Sequence, residues 1–188
     1  LNPKRIVISG GPGTGKTSVI KTLEQQGYFC FHEIIREMTL EAKKHGNEDT
    51  FVSNPLLFVD DPMLFNQKIL EGRLKQFTNA ETLGRDIVFY DRGLLDVLAY
   101  MDYFGQEYGD NFTKPCTTNI YDTVFLLPPW EEIYISDNER MESYEEAVQL
   151  HERLEATYAR FGYDVIIVPK TTVDQRIAFI KTHLKLSS

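Results

Sequence analysis

Eight residues near the N-terminus constrain this chain more than any others. Gly10-Gly11-Pro12-Gly13-Thr14-Gly15-Lys16-Thr17 fits the spacing G-x-x-x-x-G-K-[ST] of a phosphate-binding loop. At average residue frequencies such a match arises by chance in on the order of 1% of chains this long. The pattern has a physical reason. Glycines let the backbone curl so that its N–H groups form an anion-binding nest, and the helix that follows adds the positive end of its dipole. Lys16 then brings a point charge to the β and γ phosphates of a nucleoside triphosphate, and the Thr17 hydroxyl is a ligand for Mg²⁺. The sequence assigns Gly10, Gly11, Pro12, Gly13, Thr14, Gly15, Lys16, Thr17 and Ser18 to nucleotide binding, with ATP the expected triphosphate.

That mechanism needs a strand before the loop and a helix after it, and the flanking sequence supplies both. Arg5 to Ser9 reads as a strand and Lys16 to Gln26 as a helix stopped by Gly27, with Val19, Ile20 and Leu23 on one face. Short apolar runs then alternate with helical patterns, the signature of a parallel sheet with crossover helices. The further strands are Tyr28 to His32, Ile87 to Tyr90, Thr123 to Leu127 (stopped by Pro128-Pro129) and Val165 to Val168 (stopped by Pro169). The further helices are Glu33 to His45, Asp61-Pro62 to about Phe77, Leu94 to Phe104, Tyr144 to Phe161 and Val173 to Leu186. Residues 47–61 and 105–119 read as irregular. The expected fold is a three-layer α/β P-loop arrangement, one domain over residues 1–188 with five parallel strands flanked by helices. A polar segment at about 128–143 reads as a lid. Ligands belong at the carboxyl ends of the strands.

Length and composition agree. A chain of 188 residues with 42% hydrophobic and 26% charged residues can build a full core without staples. A net charge of −8 argues against nucleic acid or an anionic membrane as the main partner. No run of about 18 apolar residues and no signal peptide is visible, so a cytoplasmic location is expected, although the chain opens on Leu1 and not Met. Cys30 and Cys116 have no metal or redox spacing and read as reduced, buried thiols. His32, His45, His151 and His183 show no metal spacing either.

Chemistry beyond phosphate binding is carried at the strand ends. The third strand runs into Asp91-Arg92-Gly93, where a second carboxylate for Mg²⁺ belongs; a helix cap is the plainer role for Asp91. Arg92 is placed to clamp phosphate or substrate oxygens, or to make a structural ion pair. The second strand runs into Glu33, with Arg36 on the same helical face. Glu33 can take the proton of an attacking hydroxyl, or simply complement a helix dipole. Arg140 in the lid can reach developing charge, or belong to a solvated charge run. Trp130 can stack on a substrate ring, or only pack. The segment 169–173 stands where a nucleotide base could rest. The catalytic candidates are thus Lys16, Glu33, Asp91, Arg92 and Arg140. Substrate contacts fall to Glu33, Arg36, Arg92 and Trp130, and metal contacts to Thr17 and Asp91.

The order of these motifs resembles one known family. A P-loop follows strand one, Glu33-x-x-Arg36 strand two and Asp91-Arg92-Gly93 strand three, with an arginine-bearing lid before a long helix. It is similar to the P-loop ATPase/kinase family of NadR-like, AAA-type proteins. That family includes the nicotinamide riboside kinase domain of bacterial NAD-metabolism proteins and an animal GTP- and phosphoinositide-binding protein of photoreceptor trafficking. More distantly, the chain is similar to deoxyribonucleoside and thymidylate kinases. The resemblance covers nearly the whole chain and implies the strand order 2-3-1-4-5. It also implies that Glu33 is the base, Asp91 the acid near magnesium, Arg92 its phosphate- or substrate-contacting neighbour and Arg140 a lid arginine. The expected activity is phosphoryl transfer from Mg·ATP to a small nucleoside-like acceptor. The alternative is a nucleotide-dependent binding module with no small-molecule acceptor, in which case no Asn-Lys-x-Asp guanine signature supports a GTPase. A ring ATPase or helicase lacks room for a helical lid domain, and a protein kinase lacks His-Arg-Asp and Asp-Phe-Gly.

Overall fold

The structure, a computed structural model, describes residues 2–35, 61–133 and 143–186. Five strands form one parallel sheet: β1 (Lys4–Ser9), β2 (Phe29–Phe31), β3 (Ile87–Asp91), β4 (Thr123–Leu126) and β5 (Val165–Ile167). Their order is β2-β3-β1-β4-β5, the order that the resemblance implied. The β1 register sets Ile8 beside Asp91 and Ser9 beside Leu126, so the ends of the three central strands are level with one another.

Among the described residues, six complete helices cover the two faces: α1 (Lys16–Gln25), α2 (Pro62–Asn79), α3 (Leu94–Tyr103), α4 (Asp110–Thr118), α5 (Tyr144–Arg160) and α6 (Val173–Leu184). Alternation along β1 divides the core. Ile6 and Ile8 join Phe89 and Phe125 under α1 and α6, through Val19, Ile20, Leu23, Ile177 and Ile180. Val7 points the other way and joins Tyr90, Leu94, Leu98 and Tyr158 under α2, α3 and α5. Ile6, Val7 and Ile8 are all fully buried. Each such side chain contributes about 1.5–3 kcal/mol of apolar transfer. This two-sided burial is why β1 reads as a continuous apolar run, and it holds the loop after β1 on a rigid base.

The helix over 61–77 starts as expected: the Asp61 carboxylate caps Leu64 N–H at 3.0 Å and Pro62 occupies the first turn. It runs on to Asn79 and a 3₁₀ turn, Ala80–Thr82. One expectation fails. Residues 105–119 are not an open loop, because α4 lies within them. Its apolar signal is one buried pair at i and i+4, Phe112 and Cys116, and Pro115 inside the helix conceals it. Asn119 caps the end by donating Nδ2–H to the Pro115 carbonyl at 2.8 Å. Most of the helix expected over 33–45, the irregular 47–60 and the core of the lid, 134–142, lie outside the described residues; the described edge of the lid holds a 3₁₀ turn, Glu131–Ile133. Among the described residues no helix is long and apolar enough to cross a membrane.

Candidate active site

The loop between β1 and α1 needs glycine where the motif has it. Gly10, Gly13 and Gly15 have φ of 152°, 71° and 80°, a region that L side chains rarely adopt. A Cβ on Gly10 would stand 2.9 Å from the Leu127 carbonyl oxygen and 3.0 Å from Thr14 Oγ1, so the loop lies too close to the end of β4 and to its own Thr14 to admit a side chain there. The start of α1 has no side-chain cap and no acidic residue in its first turn. Its positive end is thus left for an anion from elsewhere. Thr14 is buried and donates to the Gly11 carbonyl at 3.0 Å. Arg176 Nη1, from α6, donates to the Thr14 carbonyl at 2.7 Å and braces the loop from outside.

Lys16 reaches across to β3. Its Nζ lies 2.5 Å from Asp91 Oδ1, the two side chains being 10% and 1% exposed. Two of the motif residues are thereby brought together, with Thr17 half-buried on the next position of α1. No group of three or more His, Cys, Asp or Glu with metal-holding geometry exists among the described residues. Magnesium in a P-loop does not need one, since phosphates and water complete its shell.

Next along the sheet edge, Glu33 and Arg92 meet. Arg92 is the residue after β3, has φ of 76°, and donates its backbone N–H to the Ile8 carbonyl at 3.1 Å. Its Nε pairs with Glu33 Oε2. The other carboxylate oxygen of Glu33 accepts from Arg73 Nη2 at 2.8 Å, and Arg73 Nη1 donates to the Gly93 carbonyl at 3.0 Å. Arg73 lies on α2, is 3% exposed, and was not singled out from the sequence. Its position at i+3 to Leu70 and i+4 to Ile69, inside an apolar stripe, was the available signal. Arg92 Nη1 is buried and has no hydrogen-bond partner among the described residues.

Burial would raise the Glu33 pKa, but Arg73, then Arg92 and Lys16, outweigh burial and hold it down from 4.5 to about 2. The folded value is depressed, so the Glu33 contribution to stability is present above about pH 4.5 and is lost as pH falls towards about 2. An acid titration followed by circular dichroism should show wild type losing stability through that window. Glu33→Gln should show a shallower loss there; identical slopes would contradict the ion-paired state.

Asp96 is the second residue that sequence reading missed. It is fully buried at the third position of α3. Oδ1 accepts from Ser9 Oγ at 2.5 Å; Oδ2 accepts from Tyr158 OH at 2.6 Å and from Gly93 N–H at 2.9 Å. An acid three residues after a helix-start position was the sequence signal. Gly93 itself admits no side chain: a Cβ would stand 2.6 Å from Tyr158 OH, 3.0 Å from Val7 Cγ2 and 3.1 Å from Tyr121 Cε2. Gly93→Ala should therefore destabilise by about 3 kcal/mol in urea unfolding, at the upper end of overpacking effects. A midpoint equal to wild type would show that these three neighbours can yield.

Trp130 is on the other flank. It follows β4, and Arg176 Cζ stands 5.1 Å from its ring centroid. The pair lies on the β4–β5 side of the loop, whereas Glu33 and Arg92 lie on the β2–β3 side. Arg176 is 2% exposed, with Nε and Nη2 lacking partners among the described residues. Trp130 is thus not brought together with the other residues read as substrate contacts. Arg36 and Arg140 lie outside the described residues. Both cysteines are free and buried, and burial pushes each thiol up to about 12, which makes them inert at neutral pH. His32 pairs with Glu24 on the surface, and His183 Nδ1 lies 3.1 Å from the Phe179 carbonyl oxygen.

Comparison with known proteins follows the same lines. Residues 5–176 match the family model AAA_28, an AAA domain. A search of the curated proteins finds no match. Among solved structures, the fold is similar to NadR protein in complex with NR, with a TM-score of 0.72 at 20% identity over 99% of this chain. It is also similar to NadR protein in complex with NAD and AMP-PNP, with a TM-score of 0.70 at 19% identity over 100% of this chain. The chain spans about half the length of those two proteins, 53% and 51%. Deoxyadenosine kinase from M. mycoides with bound dCTP gives a TM-score of 0.57 at 16% identity, covering 96% of this chain and 98% of that one. At these identities the likeness is one of fold.

Proposed function

The chain belongs to the AAA domain family, and from that premise we propose that it is a P-loop phosphotransferase, moving the γ-phosphoryl group of Mg·ATP to a hydroxyl of a small, nucleoside-like metabolite. The observation that carries this reading is the placement of a buried carboxylate–guanidinium pair, Glu33 and Arg92, beside the Lys16–Asp91 pair at the level ends of β1 and β3. A loop that only bound nucleotide would need the second pair and not the first.

The residues fit the groups that the reading requires. The glycine-formed hollow and the uncapped start of α1 suit a triphosphate, with Gly10 to Ser18 around it. Thr17 and Asp91 would hold Mg²⁺, whose chemistry is to neutralise charge on the bridging phosphate oxygens. Lys16 turns from Asp91 to the β and γ phosphates, which frees a carboxylate for the metal. Arg92 presents its unpartnered Nη1 to the transferred group, where hydrogen bonds to developing charge count most. Glu33 accepts the proton of the attacking hydroxyl once Arg92 has moved. Arg36 would face the acceptor and Arg140 would close over the phosphates. Trp130 and Arg176, with residues 169–173, lie on the flank where the donor base would rest, so Trp130 is better placed for the donor than for the acceptor. The β2–β3 flank then belongs to the acceptor.

The acidic balance of the chain supports a small-molecule partner in place of nucleic acid, and a cytoplasmic location suits an ATP-consuming enzyme with reduced thiols. The test is γ-phosphate transfer from radiolabelled ATP across a panel of nucleosides and nucleotides. A labelled, phosphorylated acceptor is the expected result. Slow hydrolysis with no labelled acceptor anywhere in the panel would favour a nucleotide-dependent binding module instead.

A further inference from the structure

Asp96 makes four directed contacts among the described residues. It takes Ser9 Oγ at the end of β1, one residue before the loop, and Tyr158 OH from α5. It also takes the Gly93 N–H and stands 3.6 Å, carboxylate to guanidinium, from Arg92 Nη1. We propose that Asp96 is a positioning residue that sets the resting orientation of Arg92, from which it engages the phosphoryl group, and ties that orientation to the phosphate loop through Ser9 and to α5 through Tyr158. The proposal rests on the phosphotransferase reading for what Arg92 does, but not for where Arg92 is held.

Three features carry it. First, Arg92 has a backbone conformation unfavourable for an L residue with a long side chain, so something must hold it there. The Arg92 N–H bond to Ile8 holds the backbone, and Glu33 and the Tyr100 ring, 5.1 Å from Cζ, hold the far side of the guanidinium. Among the described residues, Asp96 is the carboxylate that pairs with Nη1. Second, 3.6 Å with no hydrogen bond lets charge orient Nη1 without using up its donor. A closer carboxylate would compete with the phosphoryl oxygens for the same N–H. Third, three hydrogen bonds fix the carboxylate itself, so it cannot follow Arg92 if that side chain swings. Because α5 carries Tyr158 and also packs Leu150 and Ala147 against Gly11, the same carboxylate sets the loop, the helix and the arginine relative to one another.

Asp96→Asn isolates the charge. The amide keeps the volume and can still accept from Gly93 N–H and Tyr158 OH, while Ser9 Oγ can reverse to accept from the amide nitrogen. The first readout does not depend on turnover: the NMR exchange rate of the Arg92 Nη1–H resonance, on the nitrogen that faces Asp96, assigned by its loss in Arg92→Lys. In wild type it should exchange slowly. In Asp96→Asn it should exchange at least tenfold faster, and unchanged exchange would overturn the proposal. If Asp96→Asn fails to fold, Tyr158→Phe removes one of the bonds that fix the carboxylate, and its Arg92 Nη1–H should also exchange faster; no change there would overturn it equally. The second readout is kinetic. Asp96→Asn should lower kcat for transfer by about 10- to 100-fold, with ATP affinity by calorimetry within about threefold of wild type, because the loop contacts remain. A matched loss of affinity and kcat would mean a merely structural role. If wild type labels no acceptor, the phosphotransferase reading falls, and the exchange rate still decides whether Asp96 holds Arg92.

Discussion

Replacing Lys16 by alanine will weaken triphosphate binding by about 100-fold or more, and will unsettle the unliganded protein as well. The first effect follows from losing a charge-assisted contact to the β and γ phosphates, about 1.5–3 kcal/mol in a site partly shielded from water, together with the repulsion that Asp91 then exerts on the ligand. The second follows from the resting geometry. Asp91 is 1% exposed and its close partner is Lys16 Nζ at 2.5 Å. Breaking a buried pair from one side typically costs about 3–5 kcal/mol, because the remaining charge is stranded. The two effects can be separated. Lys16→Ala with Asp91→Asn removes the stranded charge and should recover most of the lost stability in urea unfolding. It should recover only the part of the affinity lost to Asp91 repulsion, since the lysine contact to the phosphates is still missing. Calorimetric titration of ATP in the presence of Mg²⁺ reads the binding effect directly. An affinity within threefold of wild type for Lys16→Ala would remove the basis for placing phosphates in the loop.

How much of this could be read from the sequence depends on how local the determinant is. The loop was legible because its chemistry is contiguous: eight residues carry the glycine conformations, the lysine and the hydroxyl. The sheet was legible because β1, β3 and β4 are buried on both faces and appear as unbroken apolar runs. Strand order was not read from periodicity; it came from resemblance, and the register of Ile8 with Asp91 bears it out. What stayed hidden is held by side chains distant in sequence. Arg73 meets Glu33 across 40 positions and Asp96 meets Ser9 across 87. Nothing in either neighbourhood announces such a partner, and a buried polar residue on an amphipathic helix looks like a break in the stripe until its partner is seen. Helix α4 was hidden for a different reason: Pro115 is a local signal that the packing of Phe112 and Cys116 overrides.

The other large effect concerns the proton. Glu33→Gln should lower kcat for phosphoryl transfer by about 10²- to 10⁴-fold, the range of a lost general base, and leave ATP affinity within about threefold. In the resting protein Glu33 is a feeble base, because Arg73 and Arg92 stabilise its charged form and hold its pKa down at about 2. Near pH 7 such a group takes a proton far too rarely to drive transfer. Its basicity must therefore rise during the cycle, and the geometry offers one route: Arg92 is shared between Glu33 and the place where the transferred group would arrive. When Arg92 turns to the phosphoryl oxygens, Glu33 loses one of the two arginines paired with it, the stabilisation of its anion falls, and proton acceptance becomes less uphill. A base armed only after the donor phosphate is in place would suppress acceptor deprotonation in its absence. Two measurements bear on this. Glu33→Asp keeps a carboxylate on a shorter stem, so it should retain more kcat than Glu33→Gln, which cannot accept the proton at all. Removing the Arg92 charge with Arg92→Gln should raise the pKa of Glu33 in unliganded protein, seen as an upward shift of its carboxyl resonance titration in NMR. If Glu33→Gln transfers phosphate at the wild-type rate, Glu33 is a structural counter-ion for the two arginines, and the proton leaves the acceptor by another path.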